Sequence, residues 1–210
     1  MNTTPNYVSV LFPNLLQPIV DLFDLMEQKG PTGPNPVQAS RNENGYSVSI
    51  AILAALAIES VCNRVRYVLG DTDRKEAFQT LREDLGAVEL ADDVEEVFVV
   101  RDAIAHNHLW EATIAENDEK GLDLISATLR PGYGDKKFAR IVDTKTRQTR
   151  RLHLDVFPNR IHRKTAIVAI QKCAEVLRFL EKKDIRFVSI EPIIVRGSEV
   201  VGFYKWAHGL

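Results

Sequence analysis

The stretch YSVSIAILAALAIESVCNRVRYVL, residues 46–69, decides how this chain folds. It is apolar nearly all round as far as Ile58, then acquires Glu59, Asn63 and Arg64. A helix without a polar face has to be central in a core or lie at an interface. Ser47 or Ser49 can cap its start, and Gly70 supplies the stop. The most apolar run within it, residues 48–58, is too short to span a bilayer. The expectation is the core helix of a soluble, cytoplasmic protein with no membrane partner.

Working outward, PNLLQPIVDLFDLMEQK, residues 13–29, places apolar side chains at 15, 16, 19, 22, 23 and 26, which is helical spacing on one face. Pro18 either kinks that helix or marks its start. Residues 30–45 are too rich in Gly, Pro and Asn for a helix or strand and read as a loop. Residues 72–85, with Ala77, Phe78, Leu81 and Leu85, predict an amphipathic helix stopped by Gly86, and another runs from about Ala91 to His106. The period then changes. WEATIAEN and LDLISATLR alternate apolar and polar residues around the connector DEKG, which predicts a β-hairpin, and residues 137–156 are read as adding further strands. Helical spacing returns over 161–183, and RFVSI, PIIVR and EVVGFYKW read as short strands, the last two joined by Gly197-Ser198. The fold class expected is mainly α: an antiparallel helical bundle in one domain, its helical core at about 13–29, 46–107 and 161–183. A β insertion occupies about 110–156 and a β tail about 186–206.

Apolar residues make up 45% of the 210 and charged residues 27%, ordinary values for a soluble globular domain. The net charge of −2 excludes a generic polybasic nucleic-acid coat but not a local basic groove. Charge is segregated. Residues 71–96 are strongly acidic and read as a solvated face, whereas residues 130–164 are strongly basic. Within the basic block Arg147, Arg150 and Arg151 are candidate substrate-binding residues for a polyanion. Cys62 and Cys173 lack metal-ligand spacing and read as reduced, packed thiols. The amino terminus, MNTTPNYVSV, has no basic region of the kind that opens a secretory signal.

One segment breaks the apolar pattern. VVRDAIAHNHLW, residues 99–110, carries Arg101, Asp102, His106 and His108 on what reads as a core helix. On a helix, residues 101, 104 and 108 share a face, and Asp102 and His106 stand four apart and can meet. A carboxylate beside an imidazole fixes its tautomer, and a guanidinium fork fits phosphate. That set suits phosphodiester cleavage in which a ribose 2′-hydroxyl attacks the neighbouring phosphorus. Histidine moves the protons and arginine stabilises the extra charge of the phosphorane. No spacing of His, Cys and carboxylates suggests a metal site, and no cofactor is expected.

Arg101 to His106, RDAIAH, resembles the Arg-polar-x-x-x-His motif of HEPN domains (higher eukaryotes and prokaryotes nucleotide-binding), and the helix before it, with Glu59 and Asn63 one turn apart, is similar to the helix that precedes the motif there. The resemblance covers residues 46–110 and extends to the helix at 161–183. It does not cover the strands between. It implies a metal-independent endoribonuclease acting as a toxin in a toxin–antitoxin pair or as a phage-defence effector. RNA is the implied substrate, with a homodimer whose paired motifs form one composite cleft and an antitoxin or other inhibitor protein as partner. Arg101 would bind phosphate, His106 would be the acid/base, Asp102 would orient them, and His108 also satisfies the family spacing. The competing expectation is a non-catalytic HEPN-like module that binds RNA, a nucleotide or a protein.

Overall fold

The computed structural model describes residues 11–30, 38–106, 110–117, 121–129 and 136–210. Among them the chain is mainly helical, with three small antiparallel sheets of two strands each. Helix α1 spans Phe12–Lys29 and takes Pro18 inside it. It packs antiparallel on α2, Arg41–Leu69, since Leu11 and Phe12 N–H groups meet Ser60 Oγ while Met26 meets Ser47 near the other end. Helix α2 starts earlier than the residues 30–45 loop allowed. Ser40 accepts the N–H of Glu43, and Asn44 donates to the carbonyls of Pro158 and Ile161, so this polar segment is tied down as a capped first helical turn. Gly70, at φ 72°, ends the helix in the left-handed conformation that a side chain would resist.

The expectation of a central α2 holds. It contacts α1, α6 (Arg163–Lys183) and α4 (Val88–Ala105). Ala51, Ala54, Ala55 and Ala57 are buried there, and their small side chains let the neighbours approach closely. By length and composition α2 could cross a membrane, but half of its most apolar window is buried inside the fold, as in a core helix. Around it lie Leu16, Ile19 and Val20 of α1, Val94, Val97 and Phe98 of α4, and Ile170, Leu177 and Leu180 of α6. Cys62 and Cys173 are free thiols in this core, each pushed up to about 12 by burial.

Between α2 and α4 the expected helix over 72–85 is much shorter. Asp71 accepts the N–H of Asp73 and Gln79 accepts that of Glu76, so the chain turns until residue 76. Only Ala77–Gln79, α3, is α-helical, and Thr80–Asp84 continues as a π-turn. Beyond α4 the predicted hairpin is present as β1, Trp110–Asn117, and β2, Gly121–Leu129, with a register shift between Thr113 and Ile114. Three residues of its expected connector, 118–120, lie outside the described residues.

The strands expected over 137–156 are mostly replaced. Lys136–Ile141 is a helix, α5, burying Phe138 and Ile141, and only the two-residue strands β3, Val142–Asp143, and β4, Gln148–Thr149, remain. In the tail, RFVSI forms a turn in which Asp184 accepts the N–H of Arg186, and Phe187 and Val188 are buried. Strands β5, Ile193–Arg196, and β6, Glu199–Gly202, pair as predicted around Gly197. FYKW is not strand. Phe203–His208 is helix α7, because Phe203, Trp206 and Ala207 at helical spacing fill the core, with Trp206 edge-on to Phe23.

Candidate active site

Helix α4 delivers the motif. Its apolar face, ending in Phe98, Val99, Val100 and Ala103, is buried against the bundle. Arg101 and Asp102 emerge at its rim, half-buried. The Arg101 guanidinium lies 4.6 Å over the Phe98 ring. Its Nε donates to Asp102 Oδ1 at 2.9 Å, Nη2 stands 2.8 Å from the same oxygen, and Nη1 donates to Glu59 Oε2 on α2 at 3.0 Å. Among the described residues these contacts occupy at most three of the five guanidinium N–H groups.

Asp102 reaches in a second direction. Its Oδ2 accepts from Lys137 Nζ at 2.8 Å, and Lys137 also meets Glu76 Oε2 at 3.2 Å. The result is a chain of alternating charge, Glu59–Arg101–Asp102–Lys137–Glu76, across α2, α4, α5 and the start of α3. Desolvation opposes the charge on Lys137, but its hydrogen bond to Asp102 and the charges of Asp102 and Glu76 outweigh it and hold the ammonium above lysine's ordinary value.

His106 stands one turn beyond, as the C-cap of α4, with φ −97° and ψ 0°. Its N–H closes the helix on the carbonyl of Asp102 at 2.9 Å, and its side chain is exposed. The four-residue spacing therefore joins Asp102 and His106 through the backbone only. Both carboxylate oxygens of Asp102 face cations instead, so Asp102 orients Arg101 and not the imidazole. His108 lies outside the described residues.

Arg147, Arg150 and Arg151 do not gather at this site. Arg147 occupies the β3–β4 turn at φ 59°. Arg150 donates to the carbonyls of Arg140 and Val142. Arg151 is bound by Glu89 at 2.9 Å and Asp93 at 3.1 Å. The acidic block is a solvated face only in part: Glu83 and Glu89 are exposed, but its end is not. Glu95 and Glu96 are each only 3% exposed. Glu95 takes Arg82 and Arg140, while Glu96 accepts the backbone N–H groups of Arg151 and Leu152 at 2.8 and 2.7 Å. The two charge blocks meet each other, and their opposition is a seam that fastens residues 140–152 to α4.

The residues missed by sequence reasoning are Lys137, Glu76 and Phe98. Lys137 lies in a segment whose pattern read as strand, and its approach to Asp102 depends on α5 being a helix. Glu59 was singled out in the sequence, and its pairing with Arg101 gives it a place in the site. Among the described residues no three His, Cys, Asp or Glu side chains converge as a metal ion requires. No protein-family model matches the chain, and no characterised protein or solved structure matches it either.

Proposed function

We propose that the chain is a HEPN-like endoribonuclease that cleaves RNA without a metal ion. The observation that carries this reading is Arg101, stacked on Phe98 and pinned by Glu59 and Asp102, with two N–H groups open among the described residues and an exposed imidazole on the next turn. A guanidinium held in place before the ligand arrives loses little freedom on binding a phosphate. In the proposed reaction His106 removes the ribose 2′-hydroxyl proton as that oxygen attacks phosphorus. The bond from phosphorus to the 5′-oxygen breaks, and an imidazolium returns a proton to the leaving oxygen. The products are a 2′,3′-cyclic phosphate and a 5′-hydroxyl. Arg101 and Lys137 bear on the phosphorane's extra negative charge. Two copies facing each other would supply one imidazole for each proton transfer. In this reading the protein is a cytoplasmic toxin or phage-defence effector held silent by an inhibitor protein.

One observation favours a second reading, a module that binds RNA without cutting it. Among the described residues no carboxylate holds His106 in a chosen tautomer, since Asp102 is engaged by Arg101 and Lys137. Incubation of purified protein with RNA in the presence of a chelator separates the two. Cleavage to cyclic-phosphate ends that is lost in both Arg101→Ala and His106→Ala supports the nuclease. Binding that weakens in Arg101→Ala, with no cleavage by the parent, supports the module. Cleavage that survives both substitutions sinks the assignment of this site.

A further inference from the structure

The β5–β6 hairpin presents one face to the core and one to solvent. Ile194 is buried on the inner face. On the outer face, Ile193 is 71% exposed, Val195 50% and Val200 66%, with Ile190 at 74% just before the strand. Side chains alternate along a strand, so Ile193 and Val195 share a face, and Val200, paired with Val195, joins them. Three β-branched side chains left in water on one face of a small hairpin are more than scattered surface apolar residues.

The two edges of this hairpin are treated differently. Arg196 and Glu199 flank the two-residue turn and exchange the closing hydrogen bonds, so the backbone groups of Val195 and Val200 point outward. On the β5 side the Gln17 amide closes the edge, with Nε2 donating to the Val195 carbonyl and Oε1 accepting its N–H, each at 2.8 Å. Gly202, two residues on, has the same outward parity, and the Glu191 carboxylate, which takes the Tyr204 N–H, lies over its face at 2.4 Å from an added Cβ. The outward N–H and C=O of Val200, and the outward N–H of Gly202, bond to no other described residue. Natural sheets block or cover such edges; here the β5 edge is blocked at Val195, and the β6 edge keeps the outward groups of Val200 open among the described residues, beside an apolar face.

We propose that β6 is a self-association strand, pairing antiparallel with β6 of a second copy about a two-fold axis at Val200. Two-fold symmetry about Val200 satisfies its outward groups reciprocally, because each Val200 N–H meets the other's carbonyl. The pairing lines up Val195, Val200 and their symmetry mates as a continuous apolar row on one side of a four-stranded sheet. Glu199 then stands beside Val201 of the second copy, so no like charges oppose each other. The contact is small against the roughly 800 Å² per partner of a stable interface, so the dimer is weak and reversible. It does not depend on the nuclease reading, since none of its residues belongs to that site.

Sedimentation equilibrium of the full chain over a concentration series tests this, with Val200→Pro as the first variant. Proline removes the outward N–H and leaves the hairpin's own bonds intact, and edge strands accept it. The expected result is a concentration-dependent dimer for the parent and self-association at least about tenfold weaker for the variant, with an unchanged melting curve. If Val200→Pro does not fold, Val200→Lys decides, because it places two ammonium groups together across the axis. In the parent, the Val200 amide should exchange more slowly with deuterium as concentration rises. A parent that stays monomeric, or a dimer that both variants leave untouched, overturns the proposal.

Discussion

Helix α4 carries two sets of ion pairs, and the contrast between them separates scaffold from site. In its middle, Glu95 and Glu96 are sealed from solvent and fully engaged by Arg82, Arg140 and the backbone of Arg151 and Leu152. At its end, Asp102 is 17% exposed and Arg101 22%, Glu59 is 43% exposed, and guanidinium N–H groups remain open among the described residues. Burying a charge is costly unless every bond is made, so the middle set can only be structural. The end set keeps access to water, which lowers its worth to stability and leaves it able to exchange a carboxylate for a ligand. The same residue types thus do different work because of depth and saturation, not identity.

The sharpest way to break this contrast is Glu96→Ala. It strips acceptors from two backbone N–H groups inside the seam and should cost about 3 kcal/mol, read from urea unfolding. A loss below about 1 kcal/mol would mean that residues 140–152 are not fastened by this carboxylate. Glu95→Gln comes next, at about 1 kcal/mol, because Arg82 and Arg140 can turn to water when the charge is gone. A cost as large as that of Glu96→Ala would place Glu95 in the same class and erase the distinction between side-chain and backbone partners.

The helical frame was legible because burial imposes a period. The runs over 13–29, 46–69, 91–106 and 161–183 are helices with ends displaced by a few residues. Where tertiary contacts outweigh local pattern, reading failed. Residues 41–45 look like loop until Ser40 and Asn44 tie them to the helix and to residues 158–161. FYKW looks like strand until Trp206 finds Phe23. The candidate site was legible in part for a similar reason. Arg101, Asp102 and Glu59 announce themselves as polar residues on apolar helices. Lys137 does not, since its neighbour Asp102 lies far along the chain. The two charge blocks were visible as composition, but a sequence does not say that they face each other.

The end set supplies the weaker effects on stability. Arg101→Ala should destabilise by no more than about 1 kcal/mol, because Asp102 keeps Lys137 and Glu59 reaches water. On the proposed nuclease reading the same substitution should abolish RNA cleavage, so that stability and activity part company at this residue. A loss of folding as severe as that of Glu96→Ala would make Arg101 part of the scaffold.

The smallest effect is a pH dependence, and its sign follows from Lys137. The ammonium is held above lysine's ordinary value, so its contribution to stability is complete below about pH 10.4. It disappears as pH rises through the higher value of the folded state. Cys62 and Cys173 also weaken the fold in alkali, since the unfolded chain ionises its thiols from pH 9.0 upward while the buried ones wait until about 12. Subtracting a Lys137→Met variant cancels the thiols, which both proteins share. The stability difference between parent and variant should be constant from pH 7 to about 10 and shrink above it. A difference that stays flat above pH 10 as well would show that the Lys137–Asp102 pair does not hold in solution, and would leave Arg101, among the described residues, as the cation fixed at the end of α4.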